Sequence, residues 1–142
     1  MRNSLIYSFL FLLIMAIIIQ SCQNEDSITY KRYYVNGKGL YEKNCQNCHG
    51  SDGKGLGTLY PPLTDSTYLI ANKKKLACII RNGQSEQITI NNVAYQGQMP
   101  GNNTLADIDI AQIIVYISNS FGNKQGHYDQ AEVARDLTAC KY

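Results

Sequence analysis

The chain has 142 residues, with 13 Lys and Arg against 11 Asp and Glu and a formal net charge of +2. So small a charge gives no reason to read it as nucleic-acid binding. Its length suits one domain rather than two, and no internal repeat is present.

Arg2 is the only charge before an apolar stretch from Leu5 to Ile19, which runs into Gln20-Ser21-Cys22. A basic start, an apolar centre and small residues near a cut site form the pattern of a secretory signal. The stretch is shorter than the about 20 residues a membrane span needs. With Cys22 directly after it, the pattern resembles a bacterial lipoprotein signal over residues 1–21, in which Cys22 is acylated and becomes the first mature residue. An uncleaved N-terminal anchor is the alternative. Both hold the protein at a membrane with its body outside the cytoplasm. The expected place is the periplasmic side of a bacterial membrane, with the cell surface as the other location. Residues 22–34 read as a polar tether with little to bury, and 35–142 as the folded domain.

Val35 to Cys45 reads as the first helix of that domain, with Leu40 and Tyr41 on one side. It leads into Cys45-Gln46-Asn47-Cys48-His49. Two thiols three positions apart, followed at once by an imidazole, match the attachment site of a c-type haem. Each thiol adds across one vinyl group to give a thioether, so the sulfurs must reach opposite edges of one porphyrin. One helical turn provides that reach, and the next side chain can serve as the proximal iron ligand.

A structural zinc site would need four ligands, usually with a second close pair. Here Cys22, Cys78 and Cys140 are solitary, and the only other histidine is His127. A thioredoxin-like pair opens a long helix, whereas this one meets Gly50, Gly53, Gly55 and Gly57. That glycine-rich loop lacks the GK[ST] ending of a phosphate cradle.

Further along, a short helix is expected over Asp65 to Ile70 with a cap at Asp65-Ser66. Lys73 to Arg81 reads as a helix with Leu76, Ala77, Ile79 and Ile80 on its apolar face, stopping at Asn82-Gly83. Gln87 to Tyr95 alternates around Asn91-Asn92, as a small hairpin or an irregular loop. The strongest helical pattern is Asp107 to Ser120, ending near Gly122-Asn123. A last short helix is expected over Gln130 to Leu137. The fold class read from these elements is all-α. Its core is thin for its length, so the chain is expected to fold poorly without haem.

With Cys22 assigned to lipid and Cys45 and Cys48 to haem, Cys78 and Cys140 remain. In an oxidising compartment they are natural disulfide partners, two unrelated thiols being the alternative. Basic residues concentrate before position 82, and acidic ones outnumber basic ones after it, an asymmetry that suits docking on a redox partner or ordinary solvated helix faces. For the second axial ligand, Met99 and His127 are the candidates. Met99 sits between Gly97 and Pro100-Gly101, where a lone thioether has no packing reason to be. His127 lies beyond the strongest helix and reads as a surface residue.

Gly37-x-x-Leu40-Tyr41, Cys45-x-x-Cys48-His49-Gly50, Asp52-Gly53-x-Gly55, Tyr60-Pro61-Pro62-Leu63, Met99-Pro100 and the helix Leu105 to Ile117 occur in that order. Together they resemble class I cytochromes c, including the small domains associated with periplasmic oxidases and copper nitrite reductases. The resemblance implies terminal helices crossing near Gly37, Tyr41 and Tyr116, with one haem between His49 and Met99. It also implies that the Pro61 carbonyl orients the His49 ring, Pro62 being the alternative. Where the family often has Ser or Thr before the last helix this chain has none, so Asp107 is expected to cap it. Residues 124–142 form a C-terminal extension.

The function this implies is electron transfer by a membrane-tethered monohaem c-type cytochrome, an electron carrier and not an enzyme. Its partners would be redox proteins and, through the N-terminal lipid, a membrane; no small-molecule substrate is expected. A bound subunit of a dehydrogenase, oxidase or nitrite reductase is the second reading. A haem gas sensor or peroxidase, in which Met99 dissociates, is the third.

Overall fold

Residues 2–21 and 25–140 are described by the computed structural model, so Cys22 lies outside the described residues. The chain divides into two compact units, residues 1–31 and 32–142. In the first, helix α1 (Arg2–Ser21) exposes its large apolar side chains from Ile6 to Met15. Among the described residues, no helix is long and apolar enough to cross a membrane.

Helix α2 runs from Glu25 to Asn44, ten residues earlier than the sequence pattern suggests, through much of the stretch read as a tether. Glu25 and Asp26 in its first turn complement the positive end of the helix dipole. Tyr33 and Tyr34 pack against the rings of His127 and Tyr116, at 4.9 and 5.3 Å between centroids. Those ring contacts come from residues more than eighty positions away, and a local reading cannot see them.

The second unit is built on helix α6 (Asp107–Ile117), in which every residue from Ile110 to Ile117 except Gln112 is buried. Helix α2 crosses it at Gly37, where an added Cβ would sit 1.9 Å from the Gln112 carbonyl oxygen. Only glycine lets the two backbones come this close. Tyr41, 1% exposed, wedges beside the crossing against Tyr116 and Phe121. Ala106, not Asp107, occupies the cap of α6. Alanine offers no acceptor, so Asp109 reaches back to accept the Ala106 N–H at 2.9 Å, which leaves Asp107 to pair with Arg81 at 2.6 Å.

Between these helices lie α3 (Gln46–His49), α4 (Ser66–Ala71), a 3-10 turn (Lys73–Lys75) and α5 (Leu76–Asn82). Asp65 caps α4 by accepting the Tyr68 N–H. The chain is mainly helical, but the all-α expectation is incomplete: among the described residues four short strands form two antiparallel pairs. Strands β2 (Ile88–Ile90) and β3 (Val93–Tyr95) make a hairpin whose turn residues, Asn91 and Asn92, both have positive φ. Asparagine tolerates that conformation, and the two-residue turn matches strand twist. Strands β1 (Gly83–Gln84) and β4 (Met99–Pro100) pair across a longer excursion.

The C-terminal extension is ordered as helix α7 (Gln130–Thr138), opened by a reciprocal box in which Asp129 accepts from Glu132 and Glu132 from Asp129. It packs on α5 and α6 through the fully buried Val133. A disulfide joins Cys78 on α5 to Cys140, with 5.7 Å between their Cα atoms.

Candidate functional site

The end of α2 sets up the first side of the site. The amides of Cys48 and His49 both donate to the Cys45 carbonyl, at 3.2 and 3.0 Å. This single turn separates the two thiols by i to i+3 and turns the His49 ring inward, leaving it 8% exposed. The Tyr41 hydroxyl donates to the Gly50 carbonyl at 2.6 Å and fixes the end of the turn. Cys45 and Cys48 are free and half-buried.

His49 Nδ1 lies 3.0 Å from the Pro61 carbonyl oxygen. A carbonyl can only accept, so Nδ1 carries the proton and Nε2 keeps its lone pair. Burial lowers the His49 pKa below its ordinary value, and the Pro61 hydrogen bond opposes part of that shift. The ring is therefore held neutral, as a metal ligand must be. Burial, with Cys48 adding to it, pushes the Cys45 thiol up to about 11. Thiol–disulfide enzymes need the reverse, a lowered thiol pKa.

The loop that brings Pro61 to His49 is held at several points. Gly55 N–H donates to the His49 carbonyl at 2.8 Å and Leu63 N–H to that of Gly53 at 2.7 Å. Asn123, 2% exposed, then ties the Leu63 and Ile117 carbonyls together, each at 2.8 Å, and accepts from Ser66.

Cys45, Cys48, His49, Pro61 and Leu63 border an apolar cleft of about 1040 Å³, counting its open mouth. Leu69, Leu76 and Ile80 form part of its wall. Met99 on β4 is half-buried and lines the same cleft as Cys45, Cys48 and His49. His127 is not among the lining residues; it is exposed and stands against the Tyr33 ring. Among the described residues, no three His, Cys, Asp or Glu side chains cluster as a metal site, so zinc has no ligand set there. Two free thiols, one neutral imidazole and one thioether around an apolar cleft fit a covalently held porphyrin.

Arg81, Asp107 and Asn123 were not legible as parts of this site. Each acts through partners more than twenty positions away. Arg81 ending an apolar helix is the one weak local signal.

The cytochrome c family model matches residues 34–121. The chain is 32% identical over 93 residues to the cytochrome c subunit of a quinone alcohol dehydrogenase from Gluconacetobacter polyoxogenes, covering 63% of this chain and 19% of that protein. It thus spans about a fifth of the length of that subunit. It is 27% identical over 93 residues to cytochrome c-552 of Thermus thermophilus, covering 63% of this chain and 70% of the relative. With cytochrome c-554(548) of Halomonas halodenitrificans the identity is 39% over 77 residues, covering 53% and 82% respectively. The chain belongs to the cytochrome c family and carries covalently bound haem c in an electron-transfer domain.

Proposed function

We propose that this protein is a membrane-tethered electron relay whose haem is attached through Cys45 and Cys48 and ligated by His49 and Met99. The observation that carries this is the meeting of all four side chains in one apolar cleft, with His49 already oriented by Pro61. When bound, haem c supplies one-electron chemistry between ferrous and ferric iron. The apolar walls keep water from that centre, and the Pro61 carbonyl strengthens His49 as a donor. Thioether ligation by Met99 favours the reduced state and raises the potential compared with a second imidazole.

The tether reading rests on sequence: the apolar segment ending at Ile19 and a cysteine at position 22. A lipid on Cys22 would confine the domain at the periplasmic face of a membrane and raise its effective concentration toward redox partners. The alternative, a bound subunit of a larger redox enzyme, is favoured by the alcohol dehydrogenase relatives and is separated from a free carrier by co-purification in mild detergent.

The deciding test is the weak near-infrared sulfur-to-iron band of the ferric protein. It is expected in the wild type and lost in Met99→Ala. Its persistence in Met99→Ala would overturn the ligand assignment.

A further inference from the structure

Met99 stands on a long excursion that leaves α5 at Asn82 and returns before α6, and a few contacts close its neck. The Asn102 N–H donates to the Ile80 carbonyl at 2.9 Å. Gly83 and Gln84 pair with Pro100 and Met99. Gly83 has φ +86°, and a Cβ there would meet the Met99 carbonyl oxygen at 2.4 Å. These are backbone contacts that any short antiparallel bridge makes. One side chain locks the neck from outside.

That side chain is Arg81, immediately before the excursion. Its Nη1 donates to the Leu105 carbonyl at 2.7 Å and reaches the Asn103 carbonyl at 3.4 Å. Its Nη2 donates to Asp107 Oδ1 at 2.6 Å. The last turn of α5 is thus tied to the returning segment and to the first turn of α6, in which most residues from Ile110 to Ile117 are buried. The pair is half-buried, with side chains 22% and 35% exposed, so water competes less than at a surface ion pair. Three acceptors in different directions suit a planar guanidinium fork, which an ammonium does not reproduce.

We propose that Arg81 is the positioning residue for Met99: by closing the neck of the excursion it holds the thioether in the cleft and sets how often it leaves. This rests on Met99 being the second axial ligand. The backbone around Met99 is already held by the β1–β4 pairing, by Asn102 on Ile80 and by the close approach of Gly101 to Asn82. Arg81, eighteen positions earlier, adds the charged closure that keeps those contacts made.

The test compares wild type, Arg81→Met and Arg81→Lys as haem-loaded protein, after checking that haem content and helix content are unchanged. Arg81→Met is expected to speed hydrogen exchange at the Asn102 amide and carbon monoxide binding to the ferrous protein. One charge-assisted hydrogen bond is worth about tenfold, so loss of the Leu105 and Asp107 bonds together is expected to give about tenfold or more. The near-infrared sulfur band should weaken, and Arg81→Lys should fall between the two. If Arg81→Met does not accumulate, Asp107→Ala is read in the same way. Wild-type exchange at Asn102 in the variant overturns the clamp whatever the ligand is. Wild-type carbon monoxide binding, with the sulfur band present in the wild type, overturns the link to Met99. Absence of that band from the wild type instead sinks the ligand assignment.

Discussion

His49 Nδ1 and the carbonyl oxygen of Pro61 are 3.0 Å apart, joining the last residue of α3 to a loop twelve residues later. This one hydrogen bond selects the tautomer and aims Nε2 into the cleft. It exists because the intervening loop is closed on itself and then fastened to the end of α6. The orientation of the His49 ring is therefore a property of the loop, which in turn depends on Asn123.

Asn123→Ala should be costly. It leaves the Leu63 and Ile117 carbonyls and the Ser66 hydroxyl without their partner, at about 1 kcal/mol or more for each buried group. A loss of about 2–4 kcal/mol is expected in urea unfolding of the holoprotein. An unchanged midpoint would show that the loop is held by other means.

Gly37→Ala should force α2 away from α6, since the new Cβ would lie 1.9 Å from the Gln112 carbonyl and 2.9 Å from Tyr116 Cβ. Overpacking of this kind costs about 1–3 kcal/mol. Thermal unfolding and the near-ultraviolet signal of the tyrosine cluster report it. If both match wild type, the crossing has slack that the contact distances deny.

Removing the Cys78–Cys140 bond releases a closure of 62 residues. Cys78→Ala with Cys140→Ala is expected to lose about 2–4 kcal/mol, seen as a lower denaturant midpoint. Val133 and Tyr128 remain buried against the body, so α7 should stay helical by circular dichroism. Loss of its helical signal would mean that the disulfide, not packing, holds the extension.

Alkaline pH should destabilise the fold through Tyr128. Burial first, and then the hydrogen bond to Asp136, raise its pKa above the ordinary tyrosine value. The folded state keeps this proton after the unfolded chain loses it near about pH 10. Stability present below that pH is therefore lost as pH rises further. Tyr41, also raised chiefly by burial, acts in the same direction. Tyr128→Phe should flatten the decline in urea-unfolding free energy between about pH 10 and about pH 12. Identical slopes in both proteins would refute this.

Cys45-x-x-Cys48-His49 reads as a haem-attachment motif without any fold, because its pattern is local, on one helical turn. The helices starting at Asp65 and Gln130 were equally legible, since their caps lie within one turn of the residues they serve. Helix α2 was misjudged at its start, and the cap of α6 at its residue. At α6 the deciding partner was the Arg81 guanidinium from another segment, which takes Asp107.

Motif spacing alone pointed to haem c, to the cytochrome c family and to the order of most helices. It also left Met99 and His127 as the candidates for a second ligand. Packing decided that Met99 borders the cleft while His127 stands against Tyr33. It also decided that Pro61 meets His49 and that Arg81 closes the Met99 excursion. The division has a physical cause. Covalent motifs and helix caps are written in residues a few positions apart, whereas ligand placement depends on contacts across tens of residues that exist only once the chain has packed.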